Sequence, residues 1–125
     1  MRVLLDTSVL VAFFDSTDEH HDVAAAALNS DSDTFEISVI SLMEVLVWPA
    51  RKSVREVDRV KKTLRDFASA IHPVDEEIAA LAAMARGKLR AADALISATA
   101  LARGTGLWTL DQDLAKAHKG STLLK

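Results

Sequence analysis

The sequence predicts an α/β fold, in which a mainly parallel sheet is covered by helices on both faces. Short segments with strand character alternate with helical segments along the 125 residues, which is the pattern of a parallel sheet built from strand–helix–strand units. Capping residues open several helical segments and glycine or turn residues end them, so their limits can be placed. No repeat, low-complexity segment or long linker interrupts this alternation, and we expect one domain over residues 1–125.

The chain begins with a predicted strand and helix. Residues 2–5 form a short buried strand, and Thr7 or Ser8 caps a helix that runs to about Phe14. Capping boxes, in which a serine is followed three residues later by glutamate, predict the starts of three further helices. These boxes are "STDE" (16–19), with a helix through Leu28, "SLME" (41–44) and "SVRE" (53–56).

The remaining elements are placed by turn residues and helix breakers. Pro49 separates the helices that follow the second and third capping boxes, so these two helices meet near residues 49–52. Gly87 and Gly104 each end a helix. In chain order we predict a strand at 34–39 after a turn at 29–33, a strand at 71–74, helices from Asp75 to about Arg86 and over 91–103, a strand at 106–109, a helix at 111–118 and a strand at 121–124.

The composition excludes several function classes. The chain is 50% hydrophobic and 26% charged and has no cysteine, so it has no disulfide framework, thiolate metal site or cysteine nucleophile. It also has no glycine-rich phosphate loop and no G-x-S-x-G serine-hydrolase elbow. No apolar run approaches the roughly 18 residues of a membrane span, and the N-terminus lacks the shape of a signal peptide. We therefore expect a cytoplasmic protein with no membrane contact.

Charge is distributed unevenly along the sequence. The net charge is −3, yet residues 1–36 carry eight acids against Arg2 alone, whereas residues 51–65 carry seven lysines and arginines against two acids. This asymmetry suits a metal site next to a phosphate-binding surface. The alternative is an ordinary solvated helix face with ion pairs between successive turns. The candidate RNA-binding residues are Arg55, Arg59, Lys62 and Arg65.

Four carboxylates stand isolated in apolar runs: Asp6, Glu44, Asp93 and Asp111. Each one alone could cap a helix or interact with a helix dipole. Two of them follow predicted strands, at the sheet edge where α/β proteins place their sites. Carboxylates that converge in a nearly buried place must hold protons or be neutralised by a cation. An all-oxygen set favours Mg²⁺ or Mn²⁺ over Zn²⁺.

A site of this kind suits phosphodiester hydrolysis. A divalent ion lowers the pKa of a bound water and stabilises charge on phosphoryl oxygens, and a carboxylate can accept the proton of the attacking water. The two hydroxyls nearest the acids, Ser8 and Thr109, could donate hydrogen bonds there.

The histidines and tryptophans are assigned to other roles. His20 and His21 begin a polar helix, where neighbouring side chains point in different directions, so we expect surface exposure. Neither His72 nor His118 has a partner at metal-ligand spacing. Trp48 and Trp108 fall in apolar runs and are expected to pack in the core or in a dimer interface.

Four strings together resemble the acidic motifs of PIN-domain ribonucleases, in order and in spacing. They are "LLDTSVLVAFF" with Asp6, "ISLMEVL" with Glu44, "AADALISATAL" with Asp93 and "LWTLDQDL" with Asp111. The likeness covers essentially the whole chain. At this chain length, the sequence most resembles the VapC-type toxins of bacterial toxin–antitoxin pairs. The resemblance implies a Rossmann-like sandwich and Mg²⁺- or Mn²⁺-dependent cleavage of RNA. It also implies a homodimer and inhibition by a small antitoxin protein.

The last motif departs from the family pattern. Leu110 stands where asparagine is frequent, and Leu114 stands where an aromatic residue is common. Carried over by the resemblance, Asp6, Glu44 and Asp93 are the core acids. Asp111 is the fourth acid, and Asp113 could share or replace its role.

Two other function classes remain open from the sequence. One is a non-catalytic RNA- or partner-binding module whose acids hold a structural ion. The other is phosphoryl transfer through an aspartyl-phosphate at Asp6, as in haloacid-dehalogenase-type phosphatases. That chemistry requires a second acid two residues after the first, and this chain has Ser8 at that position.

Overall fold

The computed structural model describes residues 1–125 and confirms the parallel α/β fold, with five strands and seven helices. The strands are β1 (Arg2–Leu5), β2 (Thr34–Ser38), β3 (Ala68–His72), β4 (Gly106–Thr109) and β5 (Thr122–Leu123). The helices are α1 (Thr7–Phe14), α2 (His21–Leu28), α3 (Val39–Lys52), α4 (Val54–Phe67), α5 (Glu76–Ala85), α6 (Ala91–Arg103) and α7 (Gln112–Ala117). None of these helices is long and apolar enough to cross a membrane.

The sheet order β3-β2-β1-β4-β5 determines where the site lies. All four strand pairs are parallel, and the chain adds β2 and β3 on one side of β1 before it adds β4 and β5 on the other. Strand order therefore reverses between β1 and β4, which are paired Leu5 to Trp108. Asp6 continues this pairing, because its backbone N–H donates to the carbonyl of Trp108 at 3.0 Å. The ends of β1 and β4 thus form the crevice in which open α/β sheets place their ligands.

Apolar side chains are buried on both faces of the sheet, as an all-parallel arrangement requires. On one face, Val3, Leu5 and Ile37 pack with residues of α1 and α4. On the other face, Leu4 and Leu107 pack with Ile96 and Ala100 of α6. Helix α5 packs against the outer side of α6, so on this face two layers of helix lie over the sheet. Helices therefore cover both faces of β1, and Asp6, the residue that follows this strand, is buried.

Three of the predicted helix starts are wrong. Helix α2 begins at His21 and not near Ser16, because the carboxylates of Asp15 and Asp18 accept backbone N–H groups of the intervening residues and form turns. Ser38, not Ser41, caps α3, and its Oγ accepts from the N–H of Ile40 at 3.1 Å. At α1 the N-cap position belongs to Asp6, while Thr7 and Ser8 lie inside the helix with their hydroxyls on other partners.

The other helix ends agree with the sequence. Ser53 caps α4 through the N–H of Glu56, and Asp75 caps α5 through the N–H of Ile78. Gly104 ends α6 in the left-handed region at φ 67°, where a residue without Cβ is favoured. Pro49 is accommodated within the final turns of α3, so α3 and α4 meet at Ser53, slightly later than predicted.

A buried acid that the sequence did not reveal lies in the middle of β2. Glu36 is only 2% exposed, yet it is fully paired. Arg2 donates from Nε to Oε2 at 2.7 Å and from Nη2 to Oε1 at 2.9 Å, and the His72 ring contacts Oε1 from β3. The hydrogen bond from Arg2 is the main reason that the pKa of Glu36 lies below its usual value. This group joins three adjacent strands by an ion pair.

We expect Glu36→Gln to remove a pH-dependent part of the stability. Because the folded pKa of Glu36 lies below the unfolded value, about 4.3, its contribution is complete above that pH and is lost as pH falls through the folded pKa. Urea denaturation at pH 7 and at pH 3 measures the difference in unfolding free energy between wild type and variant, which shrinks toward the lower pH. The exposed Glu77→Gln serves as control, and a difference independent of pH would contradict the assignment.

Candidate functional site

The four isolated carboxylates come together in one open pocket at the carboxyl edge of the sheet. Asp6 follows β1, Asp111 follows β4, Glu44 lies on α3 and Asp93 lies in the first turn of α6, and all four line the pocket. Ser8 also lines it. Four segments that are distant in sequence thus each contribute one carboxylate to the same pocket.

Asp6 is buried and only half satisfied. Its Oδ2 accepts hydrogen bonds from the hydroxyls of Ser8 at 2.6 Å and of Thr109 at 2.8 Å. Its Oδ1 is buried and has no hydrogen-bond partner. Burial raises the pKa of Asp6, and the nearby charge of Asp93 adds to the effect, while the two hydroxyls and, more weakly, the backbone N–H of Thr7 oppose it. A carboxylate with one anchored oxygen and one bare buried oxygen needs a cation or a proton to complete it.

The two hydroxyls that hold Asp6 also fix the chain after β4. Ser8 Oγ accepts from the N–H of Leu110 at 3.0 Å, and Thr109 Oγ1 accepts from the N–H of Asp111 at 2.9 Å. Because each hydroxyl accepts from the backbone while it donates to Asp6, the positions of Asp6 and Asp111 are coupled. Sequence reasoning placed both hydroxyls near acids, and the structure places them on Oδ2 of Asp6 itself.

The other three acids are anchored in the same one-sided way. Glu44 Oε1 accepts from the hydroxyl of Thr7 at 2.7 Å. Asp111 Oδ1 caps α7 by accepting from the N–H groups of the second and third residues after it, at 2.8 and 3.4 Å. Asp93 Oδ2 accepts from Nε of Arg90 at 3.3 Å. Each of the four carboxylates therefore retains one oxygen that has no hydrogen-bond donor from the protein.

This donor set fits a hard divalent cation. The free ligands are all carboxylate oxygens, which suit Mg²⁺ or Mn²⁺ and not a soft or imidazole-seeking metal. No three acids lie close enough together to form a ready-made ligand cluster. Mg²⁺ does not require one, because it retains several waters and is usually held by one or two carboxylates directly. The bare Oδ1 of Asp6 is the strongest structural reason to place a cation here.

Several sequence-predicted residues lie outside this pocket. Asp113 is exposed and does not line it, so the geometry favours Asp111 as the fourth acid. The basic residues Arg55, Arg59, Lys62 and Arg65 are exposed on α4 and also lie outside it. Of these, Arg59 pairs with Glu56 at 3.0 Å and lines the adjoining groove between α1, α3 and α4.

The two tryptophans differ in their environments. Trp108 packs against the core, with its ring centroid 5.5 Å from that of Phe35. Trp48 is 69% exposed beside the adjoining groove, so it does not pack in the core, and its alternative place in a dimer interface stays a prediction. An apolar run in a helix contains residues on every face, and the run alone did not show which face α3 turns to solvent.

Three ionisable residues that the sequence did not assign to the site also line the pocket: Asp18, His20 and Arg90. His20 is exposed as expected, but it lies at the mouth of the acidic site. The only sequence signal for Arg90 was its place three residues before Asp93, one helical turn away.

His118 has a partner that spacing did not reveal. This buried ring ends α7 and lies 2.6 Å from Ser97 Oγ, one turn along α6 from Asp93. Burial lowers the pKa of His118. The contact joins the two helices that carry Asp93 and Asp111.

Comparison with known proteins agrees with this architecture. The family model of the PIN domain matches residues 3–120. A toxin–antitoxin complex from Klebsiella pneumoniae contains a chain that is 29% identical, with a TM-score of 0.79 over 96% of this chain and 95% of that chain. FitAcB from Neisseria gonorrhoeae is 25% identical, with a TM-score of 0.73 over 95% of this chain and 94% of that chain.

A third solved structure matches in fold alone. VapC20 from Mycobacterium tuberculosis, a toxin that cleaves the sarcin–ricin loop, is 18% identical, with a TM-score of 0.81 over 98% of each chain. Comparison with curated proteins found no match.

We expect Thr109→Val to destabilise the protein by about 2 kcal/mol at neutral pH, because it removes a buried hydrogen bond to a charged group. The loss is expected to shrink as pH falls through the raised pKa of Asp6, where the carboxyl group becomes neutral. Chemical denaturation at two pH values measures this difference.

Thr105→Val is the matched control for that experiment. Its hydroxyl is buried without a hydrogen-bond partner, so its removal is expected to leave stability unchanged or slightly raised. Equal losses in the two variants, or a Thr109→Val loss that does not depend on pH, would contradict the role given to Thr109.

Proposed function

The chain belongs to the PIN-domain family, and from that premise we propose that it is a divalent-metal-dependent endoribonuclease that hydrolyses RNA phosphodiester bonds. The single observation that carries the proposal is the buried, unpartnered Oδ1 of Asp6 in a pocket that three further carboxylates line. Buried carboxylate oxygens normally have a hydrogen-bond partner, and a bound cation would complete this one.

Mg²⁺ or Mn²⁺ would be held by Asp6 with Asp93, Glu44 and Asp111, directly or through water. When bound, the ion activates water and stabilises negative charge on the phosphoryl oxygens. The fit rests on the four unengaged carboxylate oxygens.

The protein residues divide the remaining work. Ser8 and Thr109 hold Asp6 in one orientation, so the free oxygen keeps a fixed direction in the pocket. Hydrolysis requires the attacking water to lose a proton as it bonds to phosphorus. Glu44 suits the role of proton acceptor, because Thr7 positions its Oε1 while Oε2 is unengaged and the residue is partly exposed for proton release.

The same family evidence supports a toxin of a type II toxin–antitoxin pair. The Klebsiella pneumoniae relative is part of a toxin–antitoxin complex. The adjoining groove between α1, α3 and α4 is partly apolar, through Val11, Phe14 and Trp48, and it shares Val11 and Glu44 with the acidic pocket. We place the antitoxin there, because an apolar helix that lies in this groove also reaches the acids.

A homodimer completes this proposal. A second, entirely apolar surface on α3 is lined by Val39, Leu42, Met43, Leu46, Val47 and Ala50. Met43 is more than half exposed, and an uncovered apolar stripe of this kind is typical of a protein interface. The stripe is distinct from the groove assigned to the antitoxin, so both partners can bind together.

The non-catalytic alternative retains one supporting observation. Because no three acids form a ready-made cluster, the site could hold a single structural ion with no hydrolysis. RNA binding that survives Glu44→Gln and Asp93→Asn, with no cleavage by wild type in Mg²⁺ or Mn²⁺, would favour this alternative over the nuclease.

We expect Asp6→Asn and Asp93→Asn each to lower RNA cleavage at least about 100-fold, because each removes a charged ligand without changing side-chain size. Mn²⁺ is also expected to raise the melting temperature of wild type, since it binds only the folded chain, and to raise that of Asp6→Asn far less. Cleavage assays and thermal melts measure the two effects.

Asp111→Asn is expected to behave like the other ligand variants, whereas Asp113→Asn and the exposed Asp66→Asn retain cleavage. Wild-type rates in Asp6→Asn would contradict the nuclease proposal.

We also expect the exposed cations of α4 to contribute to RNA binding through the phosphate backbone. The double variant Arg55→Glu/Lys62→Glu should weaken RNA binding and reduce the dependence of log Kd on log salt, because fewer counterions are released. Fluorescence anisotropy at several salt concentrations measures the slope, with the exposed pair Lys119→Glu/Lys125→Glu, after α7, as the charge-matched control. A slope equal to that of the control would assign the α4 face to a protein partner.

A further inference from the structure

Arg90 is the one permanently charged cation among the residues that line the acidic pocket. The lining includes five carboxylates, from Asp6, Asp18, Glu44, Asp93 and Asp111, and a single guanidinium. A phosphate group that approaches the pocket meets strong repulsion from these acids at short range. A cation at the mouth of the pocket opposes that repulsion at the point where it is strongest.

The anchoring of Arg90 leaves most of its donors free. Arg90 is the N-cap residue of α6, and its carbonyl accepts from the N–H of Ala94 at 3.0 Å, so its backbone is fixed. Its side chain is 75% exposed, and Nε makes a long contact of 3.3 Å with Asp93 Oδ2. The Nη1 and Nη2 groups have no protein partner.

We propose that Arg90 binds a phosphate group of the RNA substrate at the mouth of the acidic pocket, an inference that rests on the proposed nuclease function. The planar guanidinium presents its donors in a fork that matches two phosphate oxygens. The contact with Asp93 holds this fork next to the acids, so the bound phosphate lies beside the carboxylates that act on it.

The guanidinium of Arg90 is a fixed positive charge beside the acids. Its Nε contacts Asp93, and the pocket lining also brings Glu44 and Asp111 to the same place. An arginine stays protonated in proteins, so the side chain serves as a constant counter-charge.

The other cations near the site are paired elsewhere or do not line the acidic pocket. Arg2 is bound to Glu36 near the start of β1, at the end of the strand away from Asp6. In the adjoining groove, Arg59 is bound to Glu56, and Lys52 has no ion pair but does not line the acidic pocket. The exposed cations of α4 lie outside the acidic pocket and can meet the RNA backbone only away from it. The phosphate nearest the acids is left to Arg90.

This role predicts opposite effects on the two ligands of the site. Removing the Arg90 charge takes a donor from RNA, so RNA binding weakens. The same change frees Asp93 Oδ2 and makes the pocket more negative, so Mn²⁺ binding is unchanged or tighter. A purely structural role at the start of α6 would weaken both, because the acids would lose their positions.

The test compares Arg90→Met, Arg90→Lys and the control Lys88→Met in the full chain. Lys88 is an exposed cation of the same loop that does not line the pocket, whereas Arg86 is unsuitable because it donates to the carbonyl of Leu89 at 2.9 Å. Binding of a short fluorescein-labelled single-stranded RNA is measured in an Asp6→Asn background, which blocks cleavage. Mn²⁺ binding is measured by calorimetry with Asp6 intact, and cleavage by wild type is recorded separately.

We expect Arg90→Met to weaken RNA binding about tenfold and to lower the salt slope by about 0.7, the value for one phosphate contact on a single strand. Arg90→Lys is expected to keep the slope but to recover only part of the affinity, because an ammonium lacks the fork. Mn²⁺ affinity in Arg90→Met is expected to equal or exceed that of wild type.

The inference is overturned if Arg90→Met and Lys88→Met bind RNA alike, which would assign Arg90 to Asp93 alone or to a protein partner. It is also overturned if Mn²⁺ and RNA affinity fall together. Failure of the nuclease proposal appears separately, as absence of wild-type cleavage, because the binding comparison requires no catalysis.

Discussion

The burial of Asp6 against two neutral hydroxyls is the constraint on which the rest of the site depends. Ser8 and Thr109 bind one oxygen of this carboxylate, and the other oxygen is enclosed without a partner. Burying such a group costs several kcal/mol unless a charge compensates it. The helices on both faces of the sheet keep Asp6 buried in spite of this cost. The same two hydroxyls accept backbone N–H groups after β4, so they also fix the position of that segment.

The sheet also contains a second buried acid, and the contrast between the two separates a structural carboxylate from a candidate metal ligand. Glu36 is satisfied by the guanidinium of Arg2 and by His72, and its pKa is lowered. Asp6 has no cationic partner, only the two hydroxyls and a weaker contribution from the backbone N–H of Thr7, and burial raises its pKa. The charge of Glu36 is balanced by residues of this chain, whereas that of Asp6 requires a bound cation or a proton. Perturbation of this second kind is typical of functional sites.

Much of the fold and the pocket could be predicted from sequence, because the signals were local. The parallel sheet follows from alternating elements, and Asp6, Glu44 and Asp93 stand out because each interrupts an apolar run. Glu36 was not recognised, because its charge lies in a strand whose alternation resembles a solvent-facing pattern, and its partners are distant in sequence. The helix starts near Ser16 and Ser41 were wrong for a related reason. Carboxylates and hydroxyls choose among several nearby donors, and tertiary contacts determine which donor each one takes. The exposure of Trp48 and the position of Arg90 likewise depend on packing that no single segment encodes.

The central claim is that Asp6 Oδ1 is the fixed ligand of a divalent cation. Anomalous diffraction from crystals soaked in Mn²⁺ tests it most directly, because it locates the ion independently of activity. We predict an anomalous peak at coordination distance from Asp6 Oδ1, about 2.1 Å, with Ser8 and Thr109 still bound to Oδ2. An ion bound elsewhere in the pocket with Oδ1 still bare, or no ion at all in the presence of excess Mn²⁺, would contradict the account.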